Sequence, residues 1–232
     1  MVTTEKEYIT YQRTLGMSVM EGKGFYYPND TAFSHNGKAY VLNRSLEIRA
    51  SGRGMRVNMC DANDEYYGSF GKFGDSPGQF MWPSAICIAQ DGRVIISDEH
   101  LHKIMFFSEE GTFLEEWGKF GSAEGELDTP SGITVTRDNK LLVSDTYNNR
   151  ILVWDGLPER SGATPDLVLN GVREDDDYPL TPRTDRFVWP WGVWTDGERL
   201  IVTSTAAGSS TGGIGFGGWV LIWNEVTEPL PR

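Results

Sequence analysis

At 232 residues, with 39% hydrophobic and 12% aromatic content, the chain is long enough to bury a sizeable core as one domain spanning 1–232. A formal charge of −12 argues against a nucleic-acid backbone or an anionic membrane as partner, and no apolar run is long enough to span a bilayer. Two cysteines, Cys60 and Cys87, imply no disulfide framework, and the opening MVTTEKEYITYQ has neither the basic nor the apolar region of a secretory leader, so a cytoplasmic protein with reduced thiols is expected.

Taken in order, Tyr8 to Pro28 reads as a strand over about 8–16 followed by a loop that ends on a proline. Pro28 opens NDTAFSHNGKAYVLNRS, with a turn at Asn36-Gly37, and a longer linker leads to Arg56–Cys60. The next stretch says one thing twice. Residues 68–107 read GSFGKFGDSPGQFMWPSAICIAQDGRVIISDEHLHKIMFF, and residues 115–154 read EEWGKFGSAEGELDTPSGITVTRDNKLLVSDTYNNRILVW. Both carry GKFG, a later Gly, an anchor proline (Pro83, Pro130), a β-rich run, a turn at Asp91-Gly92 or Asp138-Asn139, and Ser-Asp. A fourth copy opens at Pro190 with WGVWTDGERLIVTST, and a glycine-rich insertion, Ala207 to Gly218, precedes Trp219–Trp223.

Self-similarity at a period of about 40–50 residues marks a propeller or solenoid, whose units need neighbours to bury their faces. Each copy predicts four strands. The first follows the proline (Ala85–Ala89, Gly132–Thr136), and the second follows the turn (Arg93–Ser97, Lys140–Ser144). The third starts at Lys103-Ile104 or Arg150-Ile151, and the fourth ends at GKFG (Phe113–Trp117). Four such antiparallel units give an all-β propeller. The strand over about 8–16 is expected to complete the last blade and close the ring; the alternative is a chain that stops where another blade begins.

The pattern is best seen from Pro130-Ser131-Gly132-Ile133 through Ser144-Asp145-Thr146-Tyr147-Asn148-Asn149-Arg150-Ile151, and it resembles the NHL repeat. The resemblance extends from about Tyr8 to Asn224 and is weaker in the first and fourth copies. It implies a β-propeller of NHL-type four-stranded blades, usually six, whereas four copies are counted here. Part of a six-bladed or multi-chain propeller is therefore the alternative.

Recurrence of Asp145 and Arg150, and of Asp98 and Lys103, points to scaffold: the carboxylate caps the loop after the second strand and the cation pairs with it or a neighbouring blade. Some NHL-type propellers are lyases that cleave peptidyl-α-hydroxyglycine with zinc on histidines placed after the anchor proline. The matching positions here are Asn29, Ser84, Ser131 and Trp191, and none is histidine. A lactonase-like calcium site finds an oxygen at Asn29 but no carboxylate at the other three positions. Zinc and calcium are thus unsupported, and no cofactor is expected.

The same four positions define the candidate ligand or partner site at the channel mouth, with Trp82 and Trp189 beside them and Trp194 nearby; tryptophans that fill space between blades are the alternative. His100, His102, Tyr147 and Asn148 are loop candidates, with His102 in the place of Asn149. The acidic run Glu174–Asp177 reads as a solvated loop and Gly208–Gly218 as a flexible insertion. The expected function is a non-catalytic scaffold for protein–protein interaction or self-assembly, its partner a protein, a second copy or a small molecule. A metal-dependent lyase or lactonase at the channel is the alternative.

Overall fold

The computed structural model describes residues 11, 13–16, 21–45, 52, 54–158, 160–170, 187–207 and 216–224. Among them the chain is all-β, in four antiparallel meanders that are the blades of a β-propeller. Blade 1 holds β1 (Pro28–Phe33), β2 (Ala39–Asn43), β3 (Arg56–Cys60) and β4 (Tyr66–Phe70). Blade 2 holds β5 (Pro83–Ile88), β6 (Val94–Asp98), β7 (Lys103–Phe107) and β8 (Phe113–Trp117). Blade 3 holds β9 (Pro130–Val135), β10 (Leu141–Asp145), β11 (Arg150–Trp154) and β12 (Leu167–Asn170). Blade 4 has three strands among the described residues, β13 (Pro190–Thr195), β14 (Arg199–Ala207) and β15 (Phe216–Asn224).

The register explains the repeat. Each anchor proline pairs across the first hairpin with one position of the second strand: Pro28 with Asn43, Pro83 with Asp98, Pro130 with Asp145 and Pro190 with Ser204. A bulge follows each proline, which lacks an N–H for the ladder and is confined to such strand starts. First strands thus begin at the proline itself, and the second strands of blades 2 and 3 run one residue later than predicted, because the Asp ends the ladder. Of the strand expected over about 8–16, residues 8–10 and 12 lie outside the described residues, and 11 and 13–16 are described but belong to no strand. Glu174–Asp177 and most of the Gly208–Gly218 insertion also lie outside the described residues.

Alternation along the strands gives every blade two apolar faces, and the core is three clusters between successive blades. Tyr40, Val57 and Met59 of blade 1 meet Val94, Ile96 and Phe107 of blade 2. Ile95, Ile104 and Phe106 meet Leu141, Val143 and Trp154 in the next junction, where Trp117 and Trp154 cross edge to face at 5.0 Å. Leu142, Ile151 and Val153 meet Leu200 and Val202 in the third. Each such side chain contributes about 1.5–3 kcal/mol on burial, so the junctions outweigh the ladders within any one blade.

The first strands pack in succession, β1 on β5, β5 on β9 and β9 on β13, and their prolines gather at one end of the channel they line. The approach of β9 to β13 is so close that a Cβ on Gly132 would stand 2.3 Å from the carbonyl oxygen of Trp191. No packing of this kind joins β13 or β14 back to β1 among the described residues. Among the described residues the four blades follow one another without an equally extensive contact from the last back to the first.

Candidate functional site

The residue after each anchor proline turns toward the channel, because the bulge there reverses the alternation. The structure accordingly brings Asn29, Ser84, Ser131 and Trp191 to the wall of a single open cavity of about 340 Å³. Asn29 and Ser131 are engaged with a neighbouring blade and Ser84 with its own. The Asn29 side chain donates to the carbonyl of Ser84. Ser131 Oγ donates to the carbonyl of Trp191 at 2.9 Å and lies 2.5 Å from Thr146 Oγ1, which itself donates to the carbonyl of Pro190 at 2.6 Å. Ser97 Oγ reaches the Ser131 carbonyl at 2.5 Å, and Asp30 accepts the backbone N–H of Ile86 at 2.9 Å. Burial raises the Asp30 carboxyl above its ordinary range against those backbone bonds. The channel polar residues stitch blade to blade.

Ser84 leads to two residues that sequence reasoning missed. Its Oγ donates to Glu99 Oε1 at 2.5 Å, and Glu99 Oε2 pairs with Arg44 Nη2 at 3.1 Å. The Glu99 carboxyl is buried, which raises its pKa while the Ser84 hydrogen bond and then the Arg44 charge lower it. Arg44 lies with its guanidinium 4.2 Å from the ring centre of Trp82. Arg44, Glu99 and Thr146 each follow the residue opposite the anchor proline, so repeat position was the signal that could have found them. Arg44 and Trp82 line a second cavity of about 390 Å³ with Tyr27, Pro28, Asn29 and Ser45. Burial lowers the Arg44 pKa, opposed by Glu99 and Asp98.

The recurring Asp and Arg hold loops. Asp145 accepts from the N–H of Asp128 at 2.6 Å, from Asn148 Nδ2 at 2.9 Å and from Arg150 Nε at 2.6 Å. Arg150 also donates to the carbonyls of Ser122, Ala123 and Glu126. Asp98 accepts the N–H groups of Met81, Trp82, His100 and Leu101. Lys103 departs from the expected pairing: it binds Glu116 of its own blade at 2.5 Å, because a lysine ammonium lacks the fork that reaches loop carbonyls. Ser204, in the Asp place, bonds both the N–H and the carbonyl of Val188.

His102 is a clamp. Its Nδ1 accepts the N–H of Thr129 at 3.1 Å, just as Asn149 Oδ1 accepts that of Trp189 at 2.9 Å one blade later. Thr129 and Trp189 precede anchor prolines and take φ of 56° and 45°, a conformation that side-chain-bearing residues adopt only under constraint. Burial lowers the His102 pKa, outweighing Asp128. His100 is held to Asp98 by its backbone N–H. Tyr147 stands exposed with its ring centre 6.2 Å from that of Trp189. Trp194 sits away from the channel, paired with Ile201 on a blade face. Among the described residues no three His, Cys, Asp or Glu side chains are grouped to hold a metal ion.

Blades of this register place the chain among the β-propellers. Residues 127–154, which span blade 3 from the end of its approach loop to Trp154, match the NHL repeat, so the chain carries an NHL repeat. Two relatives are each 38% identical over 48 residues, 21% of this chain. The B-box type zinc finger protein ncl-1 of Caenorhabditis elegans is covered over 6% of its length, and Protein brain tumor of Drosophila melanogaster over 5%. The solved structure of U3-55K superposes with a TM-score of 0.54 at 11% identity, over 90% of this chain and 49% of that one, a likeness of fold. The chain thus spans about half of that structure and matches a small part of the two relatives.

Proposed function

We propose that this chain is a non-catalytic interaction module that docks a protein partner on the proline-bearing rim of its channel. The observation that carries the reading is the division of labour at that rim. Polar side chains facing the channel are consumed in bonds within and between blades, while Tyr27 and Trp82, the latter stacked with Arg44, line a cavity of about 390 Å³, and Tyr147 packs on Trp189 beside another anchor proline. Tyrosine, tryptophan and arginine are the residues on which interface energy concentrates, since each buries a large area with few rotors to order. The nearest channel carboxylates, Asp30 and Glu99, are tied to Ile86 and to Ser84 and Arg44 respectively, as scaffold groups are. The role needs no cofactor. A cytoplasmic setting belongs to the same reading, because Cys60 and Cys87 are free thiols whose pKa values burial raises.

The test is selection of binders from a random peptide library displayed on phage, followed by titration against the wild type and the Arg44→Ala and Trp82→Ala variants. Truncating a central anchor typically costs about 2 kcal/mol or more, so selected peptides are expected to bind the variants about 30-fold more weakly. Peptides that bind both variants as tightly as the wild type would overturn the proposed rim.

A further inference from the structure

We propose that the outer face of blade 4 is the contact surface for a second copy of this chain. The register fixes which side chains each blade turns toward its successor. In blade 1 these are Tyr40, Val57 and Met59; in blade 2, Ile95, Ile104 and Phe106; in blade 3, Leu142, Ile151 and Val153. All nine are covered by the next blade, none more than 8% exposed. In blade 4 the same positions hold Ile201, Val220 and Ile222, with Trp194 beside Ile201. Those residues are equally apolar, yet Val220 is 62%, Ile222 58% and Trp194 46% exposed. An apolar patch of this kind marks an interaction site, and here three buried junctions of identical register say what kind.

The complement lies at the other end of the same chain. Blade 2 receives its predecessor on Val94, Ile96 and Phe107, roofed by Phe80, and blade 1 has Ala39, Val41 and Cys60 in those places, grouped with Phe25. Phe25 is seated as Phe80 is. A Cβ on Gly16 would stand 2.5 Å from the Phe25 ring, one on Gly71 2.1 Å from Phe80, and one on Gly118 2.8 Å from Leu127. Gly16 thus stands to Phe25 as Gly71 stands to Phe80, the arrangement found where one blade follows another. Within one chain no packing as extensive as that between successive blades joins β13 or β14 to β1 among the described residues. Two copies related by a two-fold axis set the blade 4 face of each against blade 1 of the other, so the same pair of surfaces is buried twice and the pair is closed. The second copy also completes the channel wall between β13 and β1, so the candidate site would be lined all round only in the pair.

The inference stands apart from rim docking, which its failure would leave intact. The experiment is light scattering on a sizing column with the full chain across a concentration series. The wild type is expected to run at twice the monomer mass of 26.0 kDa at high concentration. Ile222→Glu and Val220→Lys are expected to dissociate at least about tenfold more readily, since each buries a charge in an apolar junction. Leu114→Glu, at an exposed position on β8, is expected to leave the pair unchanged. Circular dichroism melts confirm that each variant is folded, and having two substitutions at the face keeps the test decisive if one fails. A monomer at every concentration, as intrachain closure would give, or a pair indifferent to both substitutions, would overturn the proposal.

Discussion

Arg150 and Lys103 occupy one repeat position and do different work. Arg150 bonds the buried carboxylate of Asp145 and three loop carbonyls, whereas Lys103 makes a single, partly solvated pair with Glu116. Removing Arg150 strands a buried charge, which costs about 3–5 kcal/mol, while an exposed pair is worth at most about 1 kcal/mol. Arg150→Ala is therefore expected to lower the urea midpoint severalfold more than Lys103→Ala, and equal shifts in denaturant titrations would refute the distinction. The structural role of Asp145 was legible in the sequence because the residue recurs. The Lys103 partner was not, since a basic side chain four to six bonds long does not reveal which neighbour it will reach.

At the scale of elements, the residues before Pro130 and Pro190 are held in a left-handed conformation by the preceding blade. His102 performs that task between blades 2 and 3 with a neutral ring, because its Nδ1 must keep a lone pair for Thr129. Its folded pKa is lowered from 6.5, so the unfolded chain binds the proton more readily. The stability it contributes is complete above pH 6.5 and is lost as pH falls through the lowered folded value. Asp30, Asp98, Glu99 and Asp145 have raised pKa values and carry the opposite slope, their contribution declining as pH rises through the folded values. A difference between two proteins cancels them. His102→Asn, which installs the acceptor that Asn149 supplies one blade later, is expected to retain most of the stability while losing the slope just below pH 6.5. An unchanged slope in paired thermal melts would show that the clamp does not titrate.

Strand order and repeat phase were legible because turns and anchors are local signals. The engagement of Asn29, Ser84 and Ser131 was not, since a polar residue aimed at a channel reads the same whether it meets a ligand or the next blade. Arg44 and Glu99 were missed for a related reason: each follows a residue with an obvious scaffold role, and only the cross-blade register shows that they meet. Trp82 lines the cavity beside Arg44 and Trp189 packs against Tyr147, while Trp194 pairs with Ile201 on a blade face away from the channel.

Among the described residues, four blades are held together by junctions and channel staples, and the proposed docking rim lies apart from both. On that proposal stability and recognition fall to different residues. The measurement that tests this most directly titrates one rim-selected peptide against Ser131→Ala and Trp82→Ala side by side, with a melting curve for each. Ser131→Ala removes buried hydrogen bonds to blade 4, so it is expected to melt earlier, by about 1–3 kcal/mol, and to bind within about twofold of the wild type. Trp82→Ala is expected to melt close to the wild type and to lose about 30-fold in affinity. The opposite pattern, with binding lost at Ser131 and stability lost at Trp82, would contradict the account and return recognition to the channel interior.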